Sequence, residues 1–286
     1  MAAIPAQNPP GVASPVLAQL RALYARRETI RYLTASNLKA GHRDKALGHL
    51  WNLLDPLGLM LVYYVVFGIL FGQASGGRSI DFMLYIFVGL LSWRFFSASL
   101  SQAATCIRGA RGLIHEINFP KGVFPVSLSL ANLYDFLWGL LVLILIMLLT
   151  GHPASLHWIW LPLLIAVQLL LTAGLAFTVA SLGAFFADMT NVLNVVLRFG
   201  FYCTPIVYYV RGPQGRIPDG PRHADILFYY MLNPVSCLLE CYRDALLYSR
   251  LPDAGYAGYA LLFALGALLC GLWVFSRFEG QFVKYV

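Results

Sequence analysis

Residues 157–186 read HWIWLPLLIAVQLLLTAGLAFTVASLGAFF. The stretch holds no Asp, Glu, Lys or Arg, and it is long enough to cross the hydrocarbon core, which takes roughly 20 apolar residues. It shows no alternation of polar and apolar positions, so it reads as a helix and not as a barrel strand. Five more stretches read the same way, at 54–72, 82–106, 122–149, 190–210 and 256–276. The fold class expected is therefore an all-α integral membrane protein with six transmembrane helices. Composition agrees. Of 286 residues, 59% are hydrophobic and 12% charged, and the mean hydropathy is +0.69. A soluble domain carries about 25% charged residues, and so few charges would not cover a water-facing surface.

The net charge is +7. A basic balance can signal nucleic acid, but these charges fall between apolar runs, so no nucleic-acid partner is expected. Twelve basic residues precede the first stretch, follow the second or follow the sixth. Six lie in the intervening segments, and five acidic residues accompany them. The positive-inside rule then puts both termini in the cytoplasm. Residues 1–14, rich in Pro and Ala, read as a disordered tail without the ordered regions of a signal peptide. Residues 15–53 form a cytoplasmic interface region, 54–276 the six-span domain and 277–286 a cytoplasmic tail.

Two segments are amphipathic. In 16–31, Val16, Leu20, Leu23, Tyr24 and Ile30 share a helix face. Such a helix suits a membrane surface or a partner protein. In 224–248, ADILFYYMLNPVSCLLECYRDALLY, the Asn233-Pro234 pair interrupts the pattern, and helices end before proline. Each half is too short to span, so two short re-entrant helices are expected within an outer region, 211–255.

Catalytic signals are missing. None of the four lysines is followed by Ser or Thr, as a phosphate-binding loop requires. The six histidines are scattered, and no metal site is expected. Cys237 and Cys241 would share a face, but five cysteines do not make a disulfide framework.

The spans carry polar residues, which in lipid point to function. Arg94 and Asp135 lie at matching depth in adjacent antiparallel spans and are expected to form a buried ion pair. Asn191, Asn194, Arg198 and Tyr202 recur at spacings of three and four, one helical stripe. Tyr63 and Phe67 continue a similar stripe on the first span. Amides, a guanidinium and rings suit a sugar chain, with its hydroxyls and apolar C–H faces. Helix–helix packing fits the same spacing.

The run HRDKALGHLWNLLDPLGLMLVYYVVFGILFG, 42–72, resembles the approach to the first span in permeases of polysaccharide-exporting ATP-binding-cassette transporters, the O-antigen, teichoic-acid and capsule type. Leu47-Gly48, Trp51, Asp55-Pro56 and Tyr63 through Phe71 carry the likeness. The loop GLIHEINFPKGVFPVS, 112–127, is similar to that family's coupling segment. FYCTPIVY, 201–208, then Asn233-Pro234 and Glu240, Tyr242 and Arg243 follow in family order. Ala187-Asp188 departs from the family's Arg-Asp.

The resemblance implies a homodimer whose two copies form a channel and bind two copies of a separate ATPase subunit. ATP and Mg would sit on that partner, with no cofactor in this chain and no enzyme activity of its own. A coupling loop at 107–121 would engage the ATPase through Leu113, Ile114, His115, Glu116, Asn118, Phe119 and Pro120. Tyr63, Phe67, Asn191, Asn194, Arg198 and Tyr202 would line the channel. Tyr229, Tyr230, Asn233, Pro234, Glu240, Tyr242 and Arg243 would form an outer gate. The substrate would be a lipid-linked polysaccharide and the location the bacterial inner membrane. A permease for a small drug or lipid, and a membrane-bound transferase, are the alternatives.

Overall fold

A computed structural model describes residues 15–42, 50–70, 79–112, 120–209 and 228–282. Helices are the regular elements of those residues, with no strand among them. The expected tail 1–14, coupling residues 113–119, the outer segment 210–227 and residues 283–286 lie outside the described ones.

Four helices are long and apolar enough to cross a bilayer among the described residues. They are α4 (Ser79–Gly109), α5 (Val123–Leu149), α6 (Leu161–Phe185, preceded by a 3-10 turn over Leu156–Trp160) and α9 (Ala254–Phe278). All four fall where apolar length put them. α3 (Leu50–Tyr63) runs into a π-helical continuation, Tyr64–Leu70. The stretch expected at 190–210 differs. Its helix, α7, covers only Met189–Cys203. Thr204 is extended (φ −105°, ψ 135°) because Pro205 follows it, and a residue before proline avoids the helical region. Fifteen residues span about 22 Å at 1.5 Å each, less than the hydrocarbon core of about 30 Å.

α6 is the backbone of the bundle and packs along α9 on one side and α4 on the other. Small residues permit this. A Cβ on Gly174 would strike the Leu268 backbone, one on Gly271 the Gly174 carbonyl, and one on Gly183 the Ala104 carbonyl. Close backbone approach through small residues is how helices associate where lipid removes the hydrophobic drive between them. α4 is the most enclosed span, while α5 and α9 turn most of their surface outward. Leu137, Leu141, Leu145 and Leu148 form an exposed stripe on α5, and Leu262, Leu269 and Trp273 stand out on α9. Apolar surface on this scale needs lipid. The protein is a multi-pass membrane protein.

The N-terminal amphipathic segment is two helices, α1 (Pro15–Ala25) and α2 (Arg27–His42). Of the expected apolar face, Leu23 and Ile30 are buried, whereas Leu20 and Tyr24 are exposed. α1 rests on α9 and α2 on α5. Gln19 and Leu23 lie so near Gly122 that a Cβ there would meet the Gln19 amide at 2.8 Å.

The second amphipathic segment begins as expected. Residues 228–231 form a helical turn, and α8 (Pro234–Leu246) starts at the Asn233-Pro234 pair. Asn233 caps it, accepting from the Val235 N–H at 3.0 Å, and proline suits the first turn. Every residue from Val235 to Leu246 is buried, packed among α4, α6 and α9.

Candidate functional site

Three helices converge on an open cleft of about 380 Å³, lined by Tyr63, Trp93, Ser97, Ser101, Asn194, Leu197, Arg198, Phe201 and Tyr202. α3 supplies Tyr63, just before its π-helical part. α4 supplies Trp93, Ser97 and Ser101, four residues apart and therefore on one face. α7 supplies the rest. Only Leu193 and Leu197 of α7 are buried, which leaves Asn194, Arg198 and Tyr202 turned outward along the cleft.

The rings form one connected set. Tyr63 stacks on Phe201 with centroids 5.9 Å apart. Trp93 meets Phe201 edge-on at 6.1 Å, and Phe201 meets Tyr202 at right angles at 5.3 Å. Gly200 makes room for Trp93, since a Cβ there would lie 2.9 Å from the indole. The α7 end is pinned as well. The Thr204 hydroxyl donates to the Gly200 carbonyl at 2.8 Å, and the Asn233 amide donates to the Thr204 hydroxyl at 2.9 Å. The Tyr208 hydroxyl donates to the Tyr202 carbonyl at 2.7 Å.

Chemically, the cleft offers aromatic faces for apolar ring surfaces. Asn194, Ser97 and Ser101 both donate and accept, and Arg198 donates. Four of the six residues expected to line a channel, Tyr63, Asn194, Arg198 and Tyr202, are brought together here. Asn191 is exposed one turn earlier on α7 and outside the cleft lining. Phe67 sits in the π-helical stretch, and its side chain is outside the described ones. Trp93, Ser97, Ser101 and Phe201 were not singled out as lining, although the first three repeat the same four-residue spacing.

The residues assigned to an outer gate separate into two groups. Tyr229 is exposed and Tyr230 half-buried, its ring 5.7 Å from that of Tyr208. Glu240, Tyr242 and Arg243 are inside the bundle, at 1%, 1% and 0% exposure. Arg243 donates to Glu240 at 2.6 Å, to the Tyr85 hydroxyl at 2.7 Å and to the Ile206 carbonyl at 3.1 Å. A buried charge is tolerable only with such partners. Gly89 admits the guanidinium, for a Cβ there would lie 3.2 Å from it. Asp244 pairs with Arg250 at 2.5 Å.

Of the coupling residues, only Pro120 is described, and it is half-buried. Beside it the Lys121 N–H donates to the Glu279 carboxylate at 2.5 Å, tying the loop to the end of α9. Arg94 and Asp135 are each half-buried, on helices α4 and α5 that pack together. All five cysteines are free, and no group of metal-ligating side chains occurs among the described residues.

Apolar spans around a ring-and-amide cleft define a multi-pass membrane protein with a polar and aromatic cleft between three of its helices. Residues 28–247 match the family model described as ABC-2 type transporter, and the chain belongs to that family. It is 31% identical over 235 residues to the O-antigen export system permease protein RfbA of Myxococcus xanthus, covering 82% of this chain and 86% of the relative. It is 25% identical over 255 residues to a protein of the same name from Klebsiella pneumoniae, covering 88% and 92%. It is 22% identical over 256 residues to the polysialic acid transport protein KpsM of Escherichia coli, covering 88% and 93%. The family resemblance read from residues 42–72 and 112–127 is thus borne out.

Proposed function

We propose that the chain is the membrane subunit of an ATP-driven exporter that carries a lipid-linked polysaccharide across the bacterial cytoplasmic membrane. The observation that carries this is the cleft of Tyr63, Trp93, Phe201 and Tyr202 interleaved with Asn194, Arg198 and two serines. Sugar rings stack on aromatic faces while their hydroxyls exchange hydrogen bonds with amides and hydroxyls. The same repeating chemistry serves every residue of a long glycan, so the chain slides past without one tight site. The naming of the O-antigen and polysialic acid relatives supports the reading.

The cleft is open on one side. In the assembly a second copy supplies the opposite wall, and the two copies enclose the channel. The subunit crosses the membrane six times, with α3 and its π-helical continuation as one further span, α7 together with the non-helical segment 204–209 as the other, and both termini in the cytoplasm. Arg94 and Asp135 neutralise each other between α4 and α5. Tyr229, Tyr230 and α8 close the outer end.

Force comes from a separate ATPase subunit, two copies per dimer, which binds the ATP and Mg. Leu113, Ile114 and Phe119 enter a cleft on that partner, with Glu116 at the rim. α4 leads straight into this loop and also carries Trp93, Ser97 and Ser101. A push on the loop therefore reaches the cleft wall through one rigid helix.

The test is glycan export from cells expressing the chain with its ATPase, against cells expressing Leu113→Asp. Export is expected to stop while the variant stays folded in the membrane. Continued export would overturn the coupling. Labelling of residues 113–119 from outside the cell would overturn the topology.

A further inference from the structure

A second and larger cavity, about 520 Å³, lies between α2, α4 and α5. Along α4 it follows on from the aromatic cleft: Thr105 and Gly109 continue the four-residue row of Trp93, Ser97 and Ser101 into the cavity, and Gln102 and Cys106 flank that row. The lining uses the last turns of α4 and the first turns of α5, so it sits in the leaflet beside the 113–119 loop. The amphipathic α2 forms its outer wall.

Polar groups from three helices meet there. Gln102 and Asn132 exchange amide hydrogen bonds at 3.0 and 3.4 Å. The Asn37 amide donates to the Ser127 hydroxyl at 3.3 Å. Thr105 stands exposed at the rim, and Asp135 follows Asn132 by three residues along α5. Leu33, Phe124 and Leu128 add apolar surface on the same helix rows as Asn37 and Asn132. Polar side chains at membrane depth are rare and serve either packing or ligands. Here they border a space within the roughly 300–1,000 Å³ of small-ligand sites.

The chemistry narrows the ligand. No lysine or arginine is among the described residues lining the cavity, so it offers no cation to hold a phosphate or an anionic sugar. Amides and hydroxyls that both donate and accept, beside apolar side chains and with the Asp135 carboxylate disfavouring anions, match a neutral ring bearing hydroxyls on its edge. We propose that the cavity binds an uncharged sugar ring presented at the membrane face. The proposal goes beyond the export reading and does not depend on it. Such a ring has two sources, the membrane-proximal part of a lipid-linked glycan or the headgroup of a glycosyl lipid.

The experiment uses the purified full-length chain in phosphatidylcholine nanodiscs and a photoactivatable decyl glucoside. Crosslinks are expected within 33–40, 102–110 or 124–135. Unlabelled decyl glucoside should displace the probe at least tenfold better than decylphosphocholine. Thr105→Trp, which fills the rim, should lower labelling about tenfold. Gln102→Leu/Asn132→Leu, which removes both partners of the amide pair together, should do the same. Equal displacement by decylphosphocholine overturns the proposal, because only the alkyl tail would then be recognised. Unchanged labelling in either folded variant also overturns it. Competition with a polyprenyl-linked oligosaccharide and with monoglucosyl diacylglycerol separates the two sources. Failure of both to compete rejects the site. Export is not read in this assay, so a negative result leaves the export reading standing, and a labelled chain that exports nothing leaves the site standing.

Discussion

The Arg243 guanidinium carbon lies 3.3 Å from the centroid of the Tyr85 ring. The same tyrosine hydroxyl accepts from Arg243 and donates to the Tyr208 carbonyl at 2.9 Å. One cation thereby joins α8, α4 and the bend after α7. Its removal leaves Glu240 buried and unpaired. Arg243→Leu should destabilise the protein by about 3–5 kcal/mol, as when one partner of a buried pair is lost. Arg243→Lys should recover only part, because one ammonium cannot reach Glu240, Tyr85 and Ile206 as a planar fork does. Thermal unfolding of the purified protein in detergent measures both. A Leu variant as stable as the parent would show that the hub contributes nothing.

Gly174 and Gly271 face each other where α6 and α9 cross. Gly271→Ala places a methyl against the Gly174 carbonyl, which cannot move without moving a helix. Overpacking of this kind costs about 1–3 kcal/mol. Gly266→Ala, on the same helix with nothing near its Cβ position, is the control and should be neutral or slightly stabilising. Comparing the melting temperatures of the two variants separates a packing effect from a propensity effect.

The spans were legible because lipid demands length and apolarity together, and 157–186 satisfies both without exception. α7 was read too long, although Thr204-Pro205 marks its end. The α7 half of the cleft was legible from the Asn194, Arg198, Tyr202 spacing. The α4 half was not, since α4 carries polar residues on several faces, among them Ser92, Arg94, Ser99 and Gln102, and Trp93, Ser97 and Ser101 do not stand out as one stripe. The burial of α8 was not legible for a different reason. Its Glu240, Arg243 and Asp244 are charged, yet they find partners inside. Tyr85 is 158 residues from Arg243, and no local pattern announces a contact of that range.

The cleft makes a prediction about Trp93. Trp93→Ala removes the ring that α7 leans on and should lower glycan export about tenfold, the effect of roughly 1.4 kcal/mol. Trp93→Phe keeps an aromatic face and should retain most of it. Gly200→Ala leaves every ring in place but pushes the indole aside, and its export should fall between the two. Export is quantified as glycan at the cell surface, normalised to permease in the membrane. Equal export from all three would mean that the rings pack the helices and do not touch the glycan.

Glu279 receives the Lys121 N–H at 2.5 Å, and its own carbonyl accepts from the Lys121 ammonium at 3.3 Å. These bonds clamp the start of α5, and with it one end of the 113–119 loop, to the end of α9. Glu279→Ala frees that end. A bond from an N–H to a charged carboxylate contributes about 1.5–3 kcal/mol when shielded, and half-exposure here reduces it to about 1 kcal/mol. Amide exchange at residues 120–123 should then quicken about fivefold, with α6 unchanged. A loop with one loose end transmits less force, so ATP hydrolysed per glycan exported should rise in the complex. Faster exchange with unchanged coupling would confine Glu279 to a structural clamp. Unchanged exchange would show that the loop is held from elsewhere.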